Sequence, residues 1–165
     1  MISGYLILAQ EIRNELKNIE RVVEHTSKVW TQGKKAAVDQ DVYVESAALN
    51  LQSFYTGLER VFQLIAERVD QDVPSGRQWH TDLLTQVTLD LPGLRPPVIT
   101  KVTRNSLDDY RSFRHRIRNI YTYHIDSQKV EVLVVQLPEV YATIKKDIEQ
   151  FLIFLDAAAQ TSVED

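Results

Sequence analysis

The chain has 165 residues, of which 44% are hydrophobic and 25% charged, and its formal net charge is -4. This length and composition are typical of one soluble globular domain, so we expect residues 1–165 to form a single domain. The chain has no cysteine, which excludes disulfides, thiolate metal sites and a cysteine nucleophile, and is compatible with a reducing compartment. An acidic protein is not expected to coat nucleic acid broadly, so any contact with a polyanion must be local.

The first ten residues are apolar but carry no basic leader and run directly into Glu11 and Arg13. A secretory signal peptide is therefore not expected. No apolar run reaches the length that spans a bilayer. We predict a cytoplasmic protein without a membrane partner.

Helical periodicity dominates the sequence. Apolar residues three or four apart predict amphipathic helices over residues 2–36 and 38–69. In the second helix the predicted core stripe begins at Leu49 and ends at Ile65, and Glu59 is assigned to the surface.

A shorter helix is predicted over residues 77–89, where Trp79 is expected to anchor it and His80 is expected to be structural. Residues 91–98 contain three prolines and a glycine, so they cannot be helical throughout.

The last helix is predicted over residues 128–159, with a cap at Asp126 or Ser127 and a kink or interruption at Pro138. With the helix described next, these segments predict an all-α bundle of four long helices plus a short one.

The fourth helix carries the most informative segment of the chain. It is predicted to start at Thr103 or at Ser106, with Asp109 completing a capping box, and to continue to about residue 124. One face is predicted to point into the core, and it consists of Leu107, Tyr110, Phe113, Ile117, Ile120, Tyr121 and His124.

Arginines on the flank of this helix suggest an anion site. Arg111, Arg114 and Arg118 are spaced three and four apart, so their guanidinium groups are predicted to converge. Nearby carboxylates or a bound anion would offset their mutual repulsion. The planar guanidinium donates paired hydrogen bonds that suit phosphate.

Two histidines accompany these arginines, His115 and His124. RNA supplies its own nucleophile, the 2′-hydroxyl. Cleavage then needs a proton-transfer group with a pKa of about 6.5 and a cation near the phosphate, but no cofactor. The four histidines of the chain lack metal-ligand spacing, so no metal site is predicted. A histidine and an arginine are therefore chemically sufficient for RNA cleavage without a metal ion.

The pattern Arg118-Asn119 followed by His124 resembles the R-x4–6-H motif of the HEPN superfamily, in particular of HepT-like ribonuclease toxins. Residues 110–121 (YRSFRHRIRNIY) are similar to the FRHxxRNxY segment of one HepT-like branch. Two further segments are similar to that branch, namely residues 54–60 (FYTGLER) and 79–84 (WHTDLL). The resemblance thus covers most of the chain in order.

This resemblance implies a HEPN bundle that forms a homodimer with a composite, metal-independent endoribonuclease site acting on RNA. Arg118 would hold and stabilise the phosphate, and His124 would transfer protons. Asn119, Tyr121, Arg111 and Arg114 would contact the substrate or its phosphate. The implied partner is a small nucleotidyltransferase-type antitoxin.

Two departures from the family pattern leave alternatives open. Where many HepT proteins have H-x-Y, this chain has His124-Ile125-Asp126, so the tyrosine that the antitoxin modifies is missing. His115 competes with His124 for the proton-transfer role. The chain could instead be an inactive HEPN module that binds a nucleotide or a protein, or a structural module with its arginines in a dimer interface.

Overall fold

The computed structural model describes residues 2–161. Within that range the chain forms four long helices and one short helix, and no strand. The predicted all-α bundle is therefore confirmed. The helices are α1 (Ile2–Lys35), α2 (Gln40–Ile65), α3 (Trp79–Gln86), α4 (Lys101–Ile117) and α5 (Ser127–Thr161).

Helix α2 occupies the centre of the bundle. It packs against α1, α3, α4 and α5, while α1 and α5 also pack against each other. Side chains spaced by one helical turn supply the apolar face, and Leu51, Phe54, Leu58 and Phe62 are fully buried. A π-helical turn, Ala66–Asp70, extends α2 at its carboxyl end.

Two side chains of α2 lie on the opposite side from the one predicted. Leu49 is 63% exposed, because it precedes the buried Leu51 by two residues and so points to another side of the helix. Glu59 is only 6% exposed. It lies four residues after Tyr55 and three before Phe62, both of which are buried, so it shares their face.

Helix α4 starts earlier than predicted and ends earlier. Its amino-terminal cap is Thr100, whose Oγ1 accepts a hydrogen bond from the backbone N–H of Thr103 at 3.1 Å. The predicted capping box at Ser106 is wrong, since that residue lies inside the helix and its hydroxyl donates to the carbonyl of Val102. Asp147 of α5 accepts from the Thr103 hydroxyl at 2.7 Å and fixes this end of α4.

The connection between α3 and α4 is held by a buried ion pair. Arg95 is 2% exposed, and its Nε and Nη2 donate to the two carboxylate oxygens of Asp70 at 2.5 and 2.7 Å. Backbone carbonyls of Gln86, Leu89 and Pro96 accept its remaining hydrogen bonds. This arginine satisfies carbonyl groups that a connection without regular structure would otherwise leave unpaired.

Helix α5 begins and continues as one element. Oδ1 of Asp126 accepts from the backbone N–H of Gln128 at 2.9 Å, which confirms one of the two predicted caps. The helix runs through Pro138 without a break, so the predicted interruption does not occur. Among residues 2–161, no helix is both long and apolar enough to cross a membrane.

Candidate functional site

The candidate site lies where α4 ends. The last helical residue is Ile117, and Arg118 is the carboxyl-terminal cap. The side-chain amide of Asn119 donates to the carbonyl of His115 at 2.9 Å, which satisfies one of the carbonyls left open at a helix end. At Tyr121 the backbone is extended (φ -70°, ψ 146°), so the helix cannot continue towards residue 124 as predicted.

Residues 118–126 form a connecting loop on the surface, with a 3₁₀ turn at Thr122–His124. Ile120 is 42% exposed, Tyr121 is 70% exposed, and His124 is also exposed. The prediction that these three side chains belong to the core face of α4 is therefore wrong. Ile125 is partly buried against the core and anchors the loop.

Arg114 does not share the surface position predicted for it. It is 5% exposed, and its Nη2 donates to Oε1 of Glu59 at 2.8 Å. Its Nη1 donates to the hydroxyl of Thr56, and its guanidinium lies 4.9 Å from the ring centre of Tyr55. A carboxylate within the same chain thus neutralises this cation, and it joins α4 to α2.

His80 of α3 completes this buried network. Its Nδ1 lies 2.6 Å from Oε2 of Glu59 and 2.9 Å from Nη2 of Arg114. Arginine can only donate, and one ring nitrogen cannot both donate and accept, so we assign the shorter contact as Nδ1–H donating to the carboxylate. The indole of Trp79 packs on the imidazole, with ring centres 3.5 Å apart.

The network also acts on Tyr55. Burial raises the pKa of its phenol, the negative charge of Glu59 raises it further, and the charge of Arg114 opposes that change. We call the three residues Glu59, His80 and Arg114 the polar clamp, because they tie α2, α3 and α4 together just before the loop begins.

Arg111 also has an internal partner. Its Nε donates to Oδ1 of Asp108, three residues earlier on the same helix, at 2.7 Å. Two of the three arginines in the predicted stripe therefore have carboxylate partners, whereas Arg118 has none within residues 2–161. The expectation that carboxylates or an anion would offset the repulsion is met by carboxylates at Arg111 and Arg114.

Arg118, His115 and His124 are exposed. Within residues 2–161, no carboxylate pairs with Arg118, and no hydrogen bond or ring contact joins it to either histidine. The imidazole of His124 packs edge-on against Tyr123, with ring centres 4.3 Å apart. In one chain these three groups are therefore exposed, and no hydrogen bond or ring contact within residues 2–161 joins Arg118 to either histidine in a common site.

Tyr121 and Tyr123 stack on each other in the same loop. Their planes are within 5° of parallel and their ring centres are 5.6 Å apart. In the described part of the chain, no three His, Asp or Glu side chains are grouped to hold a metal ion.

A family model for HepT-like proteins matches residues 46–155, which is two thirds of the chain and extends from α2 into α5. The chain belongs to the HepT-like family of the HEPN superfamily. Comparisons with curated proteins and with solved structures give no match. The matched region of this HepT-like chain contains the whole polar clamp and the whole loop.

Sequence reasoning missed the role of Glu59 and gave His80 only a structural one. The signal for Glu59 was its position on the helix, since it falls on the buried face between Tyr55 and Phe62. A carboxylate there requires a buried cation. Arg114 was the residue available in the sequence to supply that buried cation.

Proposed function

We propose that this HepT-like protein is a metal-independent endoribonuclease that acts as the toxin of a toxin–antitoxin pair. The observation that carries the proposal is Arg118, an exposed cation at the end of α4 that has no carboxylate partner in the described chain. Membership of the HepT-like family supports the reaction class. The polar clamp supports it indirectly, because it holds the helix end from which Arg118 projects.

The proposed reaction uses the 2′-hydroxyl of RNA as the nucleophile. Its oxygen attacks the adjacent phosphorus as a histidine accepts its proton, and the P–O5′ bond breaks as O5′ is protonated. The products are a 2′,3′-cyclic phosphate and a 5′-hydroxyl. The guanidinium of Arg118 stabilises the charge that develops on the phosphoryl oxygens.

The proton-transfer group is His124 or His115. Both are exposed and lie on either side of Arg118 in the chain. Since no hydrogen bond or ring contact joins either histidine to Arg118 within residues 2–161, we propose that a second copy completes the site across a homodimer interface, consistent with the composite site that the family resemblance implies. Asn119 has one amide donor engaged by His115, and its oxygen has no hydrogen bond within residues 2–161, so it can accept from a ribose hydroxyl.

Purified protein tests this proposal in buffer containing a chelator. We expect cleavage of single-stranded RNA, a 2′,3′-cyclic phosphate end, and no cleavage of the same strand with 2′-deoxyribose. Arg118→Ala is expected to lower the rate by about 10²–10³-fold, as loss of an oxyanion donor does. Alanine at the proton-transfer histidine is expected to lower it by about 10²–10⁴-fold.

Arg116→Ala is the matched control. Arg116 is exposed and, within residues 2–161, has no ion-pair partner. Its substitution removes the same charge two residues from Arg118 and should leave the rate nearly unchanged. Intact RNA with the wild-type protein, or equal loss in Arg116→Ala and Arg118→Ala, would overturn the proposal.

A second candidate, an inactive binding module, is favoured by Asp126. This residue stands where many HepT proteins have a tyrosine, and its carboxylate caps α5. The inactive module predicts that a nucleotide or a partner protein binds without turnover. Detection of a cyclic phosphate end excludes it.

We also propose a nucleotidyltransferase-type antitoxin as the protein partner. Co-expression with the product of a neighbouring gene of that class should relieve growth arrest caused by the wild-type chain. Arg118→Ala should cause no arrest in either condition. Arrest that is unchanged by Arg118→Ala would contradict the toxin role.

A further inference from the structure

Two exposed tyrosines, three and five residues after Arg118, stack on each other. Tyr121 is 70% exposed and Tyr123 is 72% exposed. In the described part of the chain, neither hydroxyl has a hydrogen-bond partner. Aromatic side chains stabilise a fold mainly through the area that they bury, so such exposure contributes little to folding. The pair is therefore better explained by a ligand than by packing.

The two rings are already ordered with respect to each other. Their planes are parallel within 5°, and the imidazole of His124 supports the ring of Tyr123 at an interplanar angle of 68°. Inserting a base between two rings requires about 7 Å, twice the contact distance of about 3.5 Å. The ring centres are 5.6 Å apart, so a third ring must stack on an outer face of the pair.

The charged residues near these tyrosines in the sequence favour an anionic ligand. Residues 110–125 contain no acidic side chain. Arg118 lies three residues before Tyr121 and is exposed. A planar aromatic face close in sequence to an arginine that has no carboxylate partner within residues 2–161 matches a nucleobase with its phosphate, because every base offers a π-face and every phosphate accepts hydrogen bonds from a guanidinium.

We propose that Tyr121 and Tyr123 form a stacking platform for an unpaired base of RNA, whose adjoining phosphate lies at Arg118. This inference rests on the proposed function and narrows its substrate to single-stranded segments, such as loops, bulges and ends. In a duplex both faces of each base are covered by its neighbours, so the platform has nothing to stack on.

Binding of an uncleavable oligonucleotide tests the platform apart from catalysis. The probe is a short single strand with 2′-O-methyl at every position and one fluorescent 2-aminopurine. Stacking on the wild-type protein should quench the fluorescence. Tyr121→Ala or Tyr123→Ala should weaken binding about 5- to 150-fold, the range found for loss of one base–aromatic stack.

Phenylalanine variants and an unrelated exposed side chain are the controls. Tyr121→Phe and Tyr123→Phe keep the rings and should bind and quench like wild type. Val38→Ala removes a side chain that is also 70% exposed, in the segment between α1 and α2, and should have no effect. The duplex form of the probe should bind weakly without quenching.

Salt dependence separates the platform from the phosphate contact. The tyrosine-to-alanine variants should keep the wild-type slope of log K against log salt concentration. Arg118→Ala should reduce that slope by about 0.7, the value for one phosphate contact on a single strand.

Three outcomes overturn the platform. They are unchanged binding in both alanine variants, equal binding of the single strand and the duplex, and a change of oligomeric state in the alanine variants with quenching retained. The last result would assign the rings to a protein interface. Failure of the proposed function is a separate observation, because a protein that leaves unmodified RNA intact but still quenches the 2-aminopurine probe retains the platform.

Discussion

At the scale of single residues, Arg114 and Arg118 have different roles although they lie one helical turn apart. Arg114 is buried and pairs with Glu59, whereas Arg118 is exposed and unpaired within residues 2–161. From their spacing in the sequence, the two arginines were predicted to lie on one stripe of the helix. Arg114 lies opposite Glu59 of α2, whereas Arg118 is the carboxyl-terminal cap of α4 and has no ion-pair partner within residues 2–161.

Stability should distinguish these two arginines. Arg114→Ala leaves the carboxylate of Glu59 buried without its main partner and should lower the free energy of unfolding by about 3–5 kcal/mol. Arg118→Ala removes a solvated side chain and should change it by at most about 0.5 kcal/mol. Urea unfolding followed by circular dichroism measures both. Similar losses in the two variants would contradict the contacts described for the polar clamp.

At the scale of helices, the crossing of α1 and α2 depends on a glycine. A Cβ built on Gly57 would lie 2.7 Å from Cγ1 of Ile19 in α1, which is closer than real Cβ atoms approach. Ile19 is itself 2% exposed, and its β-branched side chain has few alternative rotamers. The absence of a side chain at this position therefore permits the close approach of the two helices.

Substitution of Gly57 tests this contact. Gly57→Ala gains about 1 kcal/mol of helix propensity but introduces overpacking that costs about 1–3 kcal/mol, so we expect a net loss of stability. Ser53→Ala, one turn earlier on an exposed position of α2, should instead stabilise the protein slightly. If the crossing is as close as described, thermal unfolding should show a lower melting temperature for Gly57→Ala and a slightly higher one for Ser53→Ala. A stabilised Gly57→Ala variant would show that the helices separate easily.

Helices with a long apolar repeat could be predicted from the sequence. The predicted bounds of α1, α2 and α5 agree with the structure to within a few residues, because the 3.6-residue pattern extends over many turns. That pattern also outweighed the β-branched residues 130–135, which are helical.

The end of α4 could not be predicted in the same way. Ile120, Tyr121 and His124 continue the apolar spacing, yet their side chains remain in solvent. The amide of Asn119 donates to the carbonyl of His115 at this helix end, but Asn50 makes the same contact with Ser46 inside α2, so this contact does not by itself predict where a helix stops. The partners of Glu59 depend on contacts between α2, α3 and α4, and no single-helix pattern contains that information.

At the scale of the whole molecule, the proposed site is incomplete in one chain. Arg118 and His124 lie on the surface loop and His115 lies in the last turn of α4, and among residues 2–161 no hydrogen bond or ring contact joins Arg118 to either histidine. A two-fold dimer would bring a second set of the same groups to the same interface. The proposal therefore makes a prediction about mixtures of variants.

Mixing two inactive variants should restore activity if the site is shared. If His124 is the proton-transfer group, Arg118→Ala and His124→Ala are both inactive; when these chains exchange at random, half of the dimers are mixed, and one of the two sites in each has both side chains intact. We therefore expect recovery of about one quarter of wild-type activity. The control is a mixture of Arg118→Ala with an Arg118→Ala/His124→Ala double variant, which should recover nothing. No recovery in the first mixture would place both side chains of a working site in one protomer.

The polar clamp and the loop have separate roles. The polar clamp stabilises the helical bundle, and the loop contains Arg118 and His124, which are proposed to act on RNA. The clamp fixes α4 up to Ile117 and the Asp126 cap starts α5, so residues 118–125 lie between two independently anchored ends. Apart from Ile125, which packs against the core, substitutions in that short segment should leave the amount of folded protein in the cell almost unchanged. If the protein is the proposed ribonuclease, an inactive variant would therefore reach the same abundance as an active one, and only an assay of RNA cleavage would distinguish the two.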